Sequence, residues 1–365
     1  MDSRCTGVFE DQYSRSFGTI VRTQSHYFYD TVRQIIGTSV IPRNETFTVG
    51  DYGCHDGSSS KDIVEYLLGA LRRLYGEDLT VHIIYEDGTN NDYNALVKNV
   101  SRNGREFGNQ KVFVSMCPTS FYRQCLPDDT FNIVLCFWSA HFLPRSVSYK
   151  DSLSKFPDGS RSECDAVADL ASEAWQRFLL IRANEIKSGG CMLLVVPVED
   201  TERKYGESSV HLQNLWVAMT TVWRLLRDMQ HVTQREYEAA NYSGYYRSED
   251  ELRAPFLDAD SPVVKAGLRI ESLLIQHERI QIMSQRRKEE TGNTENLDSS
   301  IPKFVSAIRS WTEYMFRQAL SSRSSESRRD LINSFYDLLV EYIKQQDMYT
   351  SGWDNIIAYV VIMKK

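Results

Sequence analysis

The sequence lacks the marks of several protein classes. No apolar run approaches the ~20 residues that a membrane span needs, so no span is expected. Basic excess is missing too: 42 Lys and Arg stand against 49 Asp and Glu, a net charge of -7. A dedicated nucleic-acid binder concentrates positive charge on one face, so no nucleic-acid partner is expected. The start, MDSRCTGVFEDQYSRS, lacks the basic and then apolar pattern of a signal peptide. That points to a cytoplasmic chain with reduced thiols. The seven cysteines, at 5, 54, 117, 125, 136, 164 and 191, form no C-x-x-C pair, so no metal site is expected. There is no internal repeat and no low-complexity tract beyond the Ser/Arg-rich stretch 321–329. What remains is ordinary globular composition, 42% hydrophobic and 25% charged over 365 residues. That length suits two domains, or one large domain with an insertion, around a substantial core.

The first half alternates strand-like and helix-like segments. ETFTVGDYG (45–53) is β-branched and aromatic and closes on glycine. KDIVEYLLGALRRLYG (61–76) carries apolar residues at helical spacing, and LTVHIIYED (79–87) is an apolar run ending in acid. NDYNALVKNV predicts a helix, and 111–118 and 131–140 read as further strands. Residues 164–186 form a long amphipathic helix stopped by Lys187-Ser188-Gly189-Gly190, and 191–198 is another buried strand. This rhythm predicts an α/β fold with a mostly parallel sheet covered by helices. The second half differs. Helices are expected over 211–229, 301–320 and 328–346, an edge strand over 268–283, a mobile loop over 285–300 and a final strand over 355–365. Ser248 followed by Glu251 has the capping-box spacing of a helix start.

The sharpest local signal is VGDYGCHDGSSSKD (49–62), where a strand runs through two glycines into a helix. Such a turn allows close approach of a ligand to the backbone, beside the unpaired N–H groups of a helix start. It departs from the dinucleotide fingerprint G-x-G-x-x-G, because His55 fills the place of the middle glycine. Many glycine turns of this kind are only turns. A second signal is the acid at the end of the next strand, ~30 residues beyond the turn, where a carboxylate suits a ribose diol. Asp87 is the first choice and Glu86 the second; a solvated strand-end carboxylate is the bland alternative. Together the two signals suggest an adenosine-containing ligand.

Four ordered blocks carry a resemblance. Asp51-Tyr52-Gly53-Cys54-His55-Asp56-Gly57 is similar to D-L-G-C-S-S-G. Glu86-Asp87-Gly88-Thr89-Asn90-Asn91-Asp92-Tyr93-Asn94 is similar to N-D-L-P-x-N-D-F-N. Pro118 to Pro127 resembles P-G-S-F-Y-x-R-L-F-P, and Cys136 to Leu143 resembles S-S-Y-S-L-H-W-L. FLLIRANEIKSGGCMLLVV (178–196) follows F-L-x-x-R-x-x-E-L-x-x-G-G-x-M-V-L-x. These are the motifs of the SABATH family of S-adenosylmethionine-dependent carboxyl methyltransferases, which the chain resembles over nearly its whole length.

The resemblance implies a Rossmann-like class I methyltransferase sheet with helices on both faces plus a mostly α-helical cap. The core would be 1–200 with 257–284 and 355–365; the substrate cap would be 201–256 and 285–354. By likeness, Asp51 and Gly53 shape the loop around the methionine part of S-adenosyl-L-methionine, and Asp87 holds the ribose. Ser120 and Phe121 bracket the adenine, although Phe121 reads equally as a plain core aromatic. Gln24 falls on the glutamine that positions the acceptor carboxylate. Ile20 and Val21 replace the Asn and Ser of that same motif. Phe142 stands at the family's tryptophan, so one N–H donor is lost, and His141 beside it is a candidate replacement. Asn214, Trp216, Ile308, Trp311 and Trp353 fall on positions of the acceptor pocket; ordinary helix-face core is the alternative for each. A homodimer is implied by the same likeness.

The expected reaction is methyl-ester formation on a small apolar carboxylic acid. An aliphatic, fatty or isoprenoid acid is favoured over an aromatic one, because Asn214 and Phe142 stand where a flat acid would be gripped. A carboxylic acid is already ionised at neutral pH, so no general base is needed and none is nominated. Two other readings stand beside this one. One is a methyltransferase-like binding protein that has lost catalysis, suggested by Ile20, Val21 and Phe142. The other is an NAD-dependent dehydrogenase on the same sheet, disfavoured by His55 and by the lack of a hydride-transfer acid.

Overall fold

Alternating apolar and polar stretches produce alternating strands and helices in the computed structural model. It describes residues 23–38, 41, 45–107, 111–155, 161–199, 209–280, 297–345 and 353–365. A 3-10 turn (Thr23–Phe28) leads into α1 (Tyr29–Thr38). Then come β1 (Phe47–Tyr52), α2 (Lys61–Tyr75), β2 (Val81–Asp87), α3 (Tyr93–Phe107), β3 (Val112–Pro118) and β4 (Phe131–Phe137). Helix α4 (Arg161–Glu185) and strand β5 (Ile186–Pro197) complete the parallel half. The second half holds α5 (Ser209–Asp228), α6 (Gln234–Ala239), α7 (Glu249–Arg253), α8 (Pro262–Lys265) and β6 (Leu268–Ile280). Helices α9 (Leu297–Ala319) and α10 (Ser325–Gln345) precede β7 (Trp353–Lys364).

The seven strands form one sheet in the order β3-β2-β1-β4-β5-β7-β6. β1 to β5 are parallel, and β7 runs antiparallel between β5 and β6. The expected edge strand is β6. The all-parallel dinucleotide order lacks this reversed strand. Strand period two sends alternate residues into two apolar clusters. From β4, Phe131, Val134 and Cys136 enter one cluster with Trp175 and Phe178 of α4, while Ile133, Leu135 and Phe137 enter the other with α1 and α2. A third cluster unites α5, α6, α9 and α10. Among the described residues no helix is long and apolar enough to cross a membrane.

Several boundaries differ from the sequence pattern. Helix α4 passes into β5 at Ile186 without a turn, although Gly189-Gly190 reads as a helix stop. The pairing jumps from Phe131↔Ile186 to Ile133↔Cys191, so the glycines form a bulge in the strand. Gly189 has φ +79°, and a Cβ on Gly190 would lie 2.8 Å from the carbonyl oxygen of Asn132. Close strand approach, not helix termination, explains Gly190. Of the loop expected over 285–300, residues 285–296 lie outside the described residues, and 297–300 open α9. The cap boundary placed at 354 falls two residues inside β7, which starts at Trp353. The Ser248/Glu251 capping box opens α7 as its spacing predicts, and Thr233/Glu236 opens α6 in the same way.

One buried ion pair fixes the loop after β3. Arg182 Nε lies 2.7 Å from Glu185 Oε2, and both side chains are fully buried. Arg182 donates to the carbonyls of Phe121 (2.9 Å) and Arg123 (3.0 Å), and its guanidinium stacks over Tyr52 at 4.1 Å. Glu185 accepts from Tyr52 Oη (2.6 Å) and from the backbone N–H groups of Cys125 (2.5 Å) and Leu126 (3.0 Å). The R-x-x-E of the helix thus ties residues 121–126 to α4 and to the end of β1.

Removing one partner strands the other charge in the core. Glu185→Ala is expected to lower unfolding free energy by ~3–5 kcal/mol. Tyr52→Phe, which keeps the pair, should cost only about 1.5–3 kcal/mol. Urea unfolding of the two variants measures both; equal losses would place the stability elsewhere.

Candidate active site

Strand β1 has β2 on one side and β4 on the other, so its carboxyl end is the switch point where open α/β sheets take ligands. The chain leaves β1 through a sharp turn. Gly53 has φ +65°, and a Cβ there would sit 2.3 Å from the Ser139 Cβ. Ser139 Oγ donates to the Gly53 carbonyl at 2.8 Å, locking the turn to the segment after β4. His55, at the place of the missing glycine, adopts φ +50°, and Trp138 after β4 has φ +60°. The departure from G-x-G-x-x-G therefore keeps the left-handed backbone and stores strain beside the switch point.

Three acids gather around this turn. Asp51 is buried and accepts from Ser60 Oγ at 2.5 Å. Glu86 is buried and accepts from the Gly53 N–H at 3.1 Å, while its Oε1 has no hydrogen-bond partner. Asp87, partly exposed, accepts from the N–H groups of His55 and Gly88, both at 2.7 Å. Among the described residues none of the three forms an ion pair. Burial pushes Asp51 up to about 7 and Glu86 up to about 8; the Ser60 and Gly53 hydrogen bonds oppose this only in part. Asp87 is raised by burial as well, against its two backbone donors. Asn91 Nδ2 donates to the His55 carbonyl (2.8 Å) and Tyr93 Oη to that of Asp87 (2.5 Å), so the N-N-D-Y-N segment holds the turn against β2. Phe121 stands on the other side, its ring 3.6 Å from where a Gly53 Cβ would be and edge-on to Phe178 at 5.8 Å. Ser120, exposed, accepts from the Tyr122 N–H at 3.3 Å.

The second pole lies past the end of β4. Residues 141–143 pair with 243–245: Tyr245 N donates to the His141 carbonyl (2.9 Å), Leu143 N to that of Ser243 (2.8 Å), and Phe142 bridges Gly244. His141 is buried, and its Nε2 lies 2.9 Å from Tyr242 Oη. Tyr246 Oη lies 3.4 Å from Tyr242 Oη, extending the hydrogen-bonded chain from the ring. Nδ1 is buried with no hydrogen-bond partner. Burial, then the charge of Arg247, push this imidazole down to about 3, so it is neutral across the working range. In the tautomer in which Tyr242 donates to Nε2, the ring proton sits on Nδ1 and makes it a donor.

Rings then connect the remaining candidates. Phe142 is 5.8 Å from Tyr242, Tyr242 is 4.6 Å from Trp216, and Trp216 is 5.9 Å from Trp311. Ile308 is buried in the same helical cluster, and Asn214 sits half-buried one helical step before Trp216 on α5. The backbone of Gln24 lies in the 3-10 turn and that of Trp353 opens β7; their side chains, with Ile20 and Val21, lie outside the described residues. The structure therefore brings Asp51, Gly53, Asp87 and Phe121 around one turn, and His141, Phe142, Trp216 and Trp311 around another. Tyr242, the hub of the second group, and Ser139, the lock of the first, were not singled out from the sequence. Tyr242 sits in NYSGYYRSED, where only the helix start was legible. Glu86, ranked second to Asp87, is the acid with an unused oxygen.

The architecture matches a solved structure, "Loganic acid methyltransferase with SAH". The TM-score is 0.68 at 16% identity, covering 96% of this chain and 97% of that one, which establishes a shared fold. The sequence profile of the S-adenosylmethionine-dependent carboxyl methyltransferases matches residues 11–365. The chain belongs to that family. Among curated relatives, loganic acid O-methyltransferase of Catharanthus roseus is 25% identical over 163 residues, 41% of this chain and 42% of the relative. Farnesoic acid carboxyl-O-methyltransferase of Arabidopsis thaliana is 27% identical over 165 residues, 40% of this chain and 44% of the relative. The aligned segments thus span under half the length of each.

The unpaired acids set a pH dependence. A carboxyl group raised in the folded state keeps its proton after the unfolded chain has lost its own, so its contribution to stability is full below pH ~4 and fades through the folded value. The ligand-free chain should lose melting temperature as pH rises from 5 to about 8, in line with Asp51 and Glu86. Glu86→Gln should flatten this decline; an unaltered slope in calorimetry at several pH values would refute the assignment.

Proposed function

We propose that the chain is an S-adenosylmethionine-dependent carboxyl O-methyltransferase that converts an apolar acid to its methyl ester. The observation that carries this reading is the set of unpaired acids around the Gly53 turn. Asp51, Glu86 with its unused Oε1, and Asp87 make an acidic cradle at the switch point; burial holds Asp51 and Glu86 toward the protonated form, and a ligand with sulfonium and ammonium charges and ribose hydroxyls would favour their ionisation. Phe121 offers a flat apolar face to the adenine and Ser120 a polar contact. When bound, S-adenosylmethionine supplies a sulfonium methyl group, which an ionised carboxylate takes by in-line displacement.

The chain's own work is to hold and to dry. Asp87 and Glu86 accept from the ribose end, and Asp51 braces the turn through Ser60. Gln24, entering by the 3-10 turn, orients the acceptor oxygen. His141 Nδ1 replaces the donor lost at Phe142, and neutrality of that ring suits a step that needs no base. Holding two reacting groups in line delivers most of the rate through proximity and orientation. The helices of 209–256 and 297–345 would cap the acceptor, with Asn214, Trp216, Ile308 and Trp311 in its wall and Trp353 reaching it from the start of β7.

The wall contains rings and aliphatic groups, which supports an aliphatic, fatty or isoprenoid acid over an aromatic one. Relatives named for loganic and farnesoic acids agree with this; one named for indole-3-acetate speaks for a ring-bearing acid. A homodimer, implied by family likeness, and a cytoplasmic location belong to the same reading. The reversed β7 and the family match favour this reading over a dehydrogenase.

Two measurements test it. S-adenosylhomocysteine at a hundred times its dissociation constant should stabilise the native chain by roughly 2.7 kcal/mol, and NAD should not. A mass-spectrometric screen of carboxylic acids with labelled methyl donor should yield at least one apolar methyl ester, and Gln24→Ala should lower its turnover at least about tenfold by misplacing the oxygen. Cofactor binding with no ester from any acid would leave the binding-protein reading in its place.

A further inference from the structure

Arg247 is a buried charge with no ion-pair partner among the described residues. Its side chain is 1% exposed. Its backbone is held by the end of β5: Val198 bridges it, and Glu199 N donates to its carbonyl at 3.1 Å. Nη1 donates to the carbonyl of Ala140 (3.0 Å) and Nη2 to that of Ala171 (2.7 Å), while Nε is buried without a partner. The guanidinium carbon lies 5.4 Å from the centroid of the Trp175 ring. Tyr122, Tyr245, Glu251 and His141 are the titratable groups around it. Glu251, whose charge favours the Arg247 cation, forms no ion pair with it and accepts instead from Ser248 N (2.7 Å) and Tyr245 Oη (2.8 Å). Among the described residues no carboxylate pairs with Arg247.

A guanidinium keeps its proton even when buried. Leaving it unpaired in the interior is costly, and neutral carbonyls and a ring offset the cost only in part. Its Nη1 contact is the residue before His141, so the charge sits directly under the acceptor end. The unpaired acids lie at the other end, around Gly53. The two ends of the site thus hold ionisable groups of opposite kind without ion-pair partners among the described residues, carboxyl groups at one and a guanidinium at the other, each suited to one of two reactants of opposite sign.

We propose that Arg247 is a positioning residue for the acceptor: acting through the Ala140–His141 segment, its charge makes this end of the site select an ionised carboxylate over a neutral group of the same shape. This rests on the carboxyl methyltransferase reading. It has a consequence for turnover. The methyl ester is neutral, so the attraction that holds the acid vanishes in the product, and the ester leaves more readily than the acid.

The test uses the full chain saturated with S-adenosylhomocysteine. The acid best methylated by the wild-type chain, from a panel of octanoic, dodecanoic, farnesoic and indole-3-acetic acids, is titrated against its own primary amide. The wild type should bind the acid at least about tenfold more tightly than the amide, the scale expected of a unit charge several Å away in a partly dry site. Arg247→Gln keeps hydrogen-bond donors and removes the charge; it should lose most of that preference and raise KM for the acid, with KM for S-adenosylmethionine within about twofold. Arg247→Lys keeps the charge and should retain most of the preference. A wild-type preference below about threefold overturns the proposal, whether or not the variants fold. So does an Arg247→Gln variant with the preference intact, or equal damage in both variants with both KM values raised. A wild type that methylates no acid strikes the underlying reading instead.

Discussion

Buried carboxyl groups without ion-pair partners among the described residues, at the carboxyl end of the first sheet strand, are the constraint on which the rest of the proposed site depends. Asp51 and Glu86 are buried where a carboxylate is poorly solvated, and burial raises both toward neutrality. A chain selected only for stability would place apolar groups there. These acids instead sit at the one point of the sheet where neighbouring connections diverge and leave a crevice. The Gly53 turn, the Ser139 lock and the left-handed His55 are the backbone arrangement that lets a ligand reach them.

The acceptor end is built by different means. Its position comes from a short antiparallel pairing between residues 141–143 and 243–245, which joins the loop after β4 to the segment that follows the α5–α6 hairpin. The helical cluster is thereby fastened to the sheet beside the place where chemistry is proposed. Tyr242 is central to this: its hydroxyl hydrogen-bonds His141 Nε2, and its ring joins Phe142 to Trp216 and Trp311. A substitution in this segment therefore acts on donor geometry and on the acceptor wall together.

The strand and helix pattern of the first half was legible because period two and period 3.6 are strong in long buried elements such as β4, β5 and α2. The Gly189-Gly190 pair was misread. Glycine after a helix signals a stop, but here the tertiary pairing with β4 demands a bulge and a missing Cβ at the same two positions. The turn proposed to hold the cofactor could be picked out from the spacing of glycine turn and strand-end acid, yet spacing alone does not separate Asp87 from Glu86. Burial and hydrogen bonds distinguish them: both Asp87 oxygens already accept from backbone, and one Glu86 oxygen accepts from nothing. Tyr242 and Arg247 were not legible, because their roles depend on contacts with His141 and Ala140 a hundred residues away along the chain. Arg182 and Glu185 stood in a motif, but the loop they pin lies about sixty residues earlier and shows no local sign of it.

Opposite charges at the two ends of one site have an energetic consequence for the whole molecule. In the ligand-free chain, Asp51, Glu86 and Arg247 each oppose folding, since none has an ion-pair partner among the described residues and the charged form of each is poorly solvated. On the proposed reading, the two reactants supply the missing countercharges, the cofactor at the Gly53 turn and the acid beside His141. Methyl transfer removes both charges at once, one from sulfur and one from oxygen. After the step the ester carries no charge at its end of the site, and the cofactor product has lost its sulfonium charge while keeping its ammonium. The same unpaired side chains that cost stability thus favour the reactants over the products, and binding energy is not carried forward into slow release.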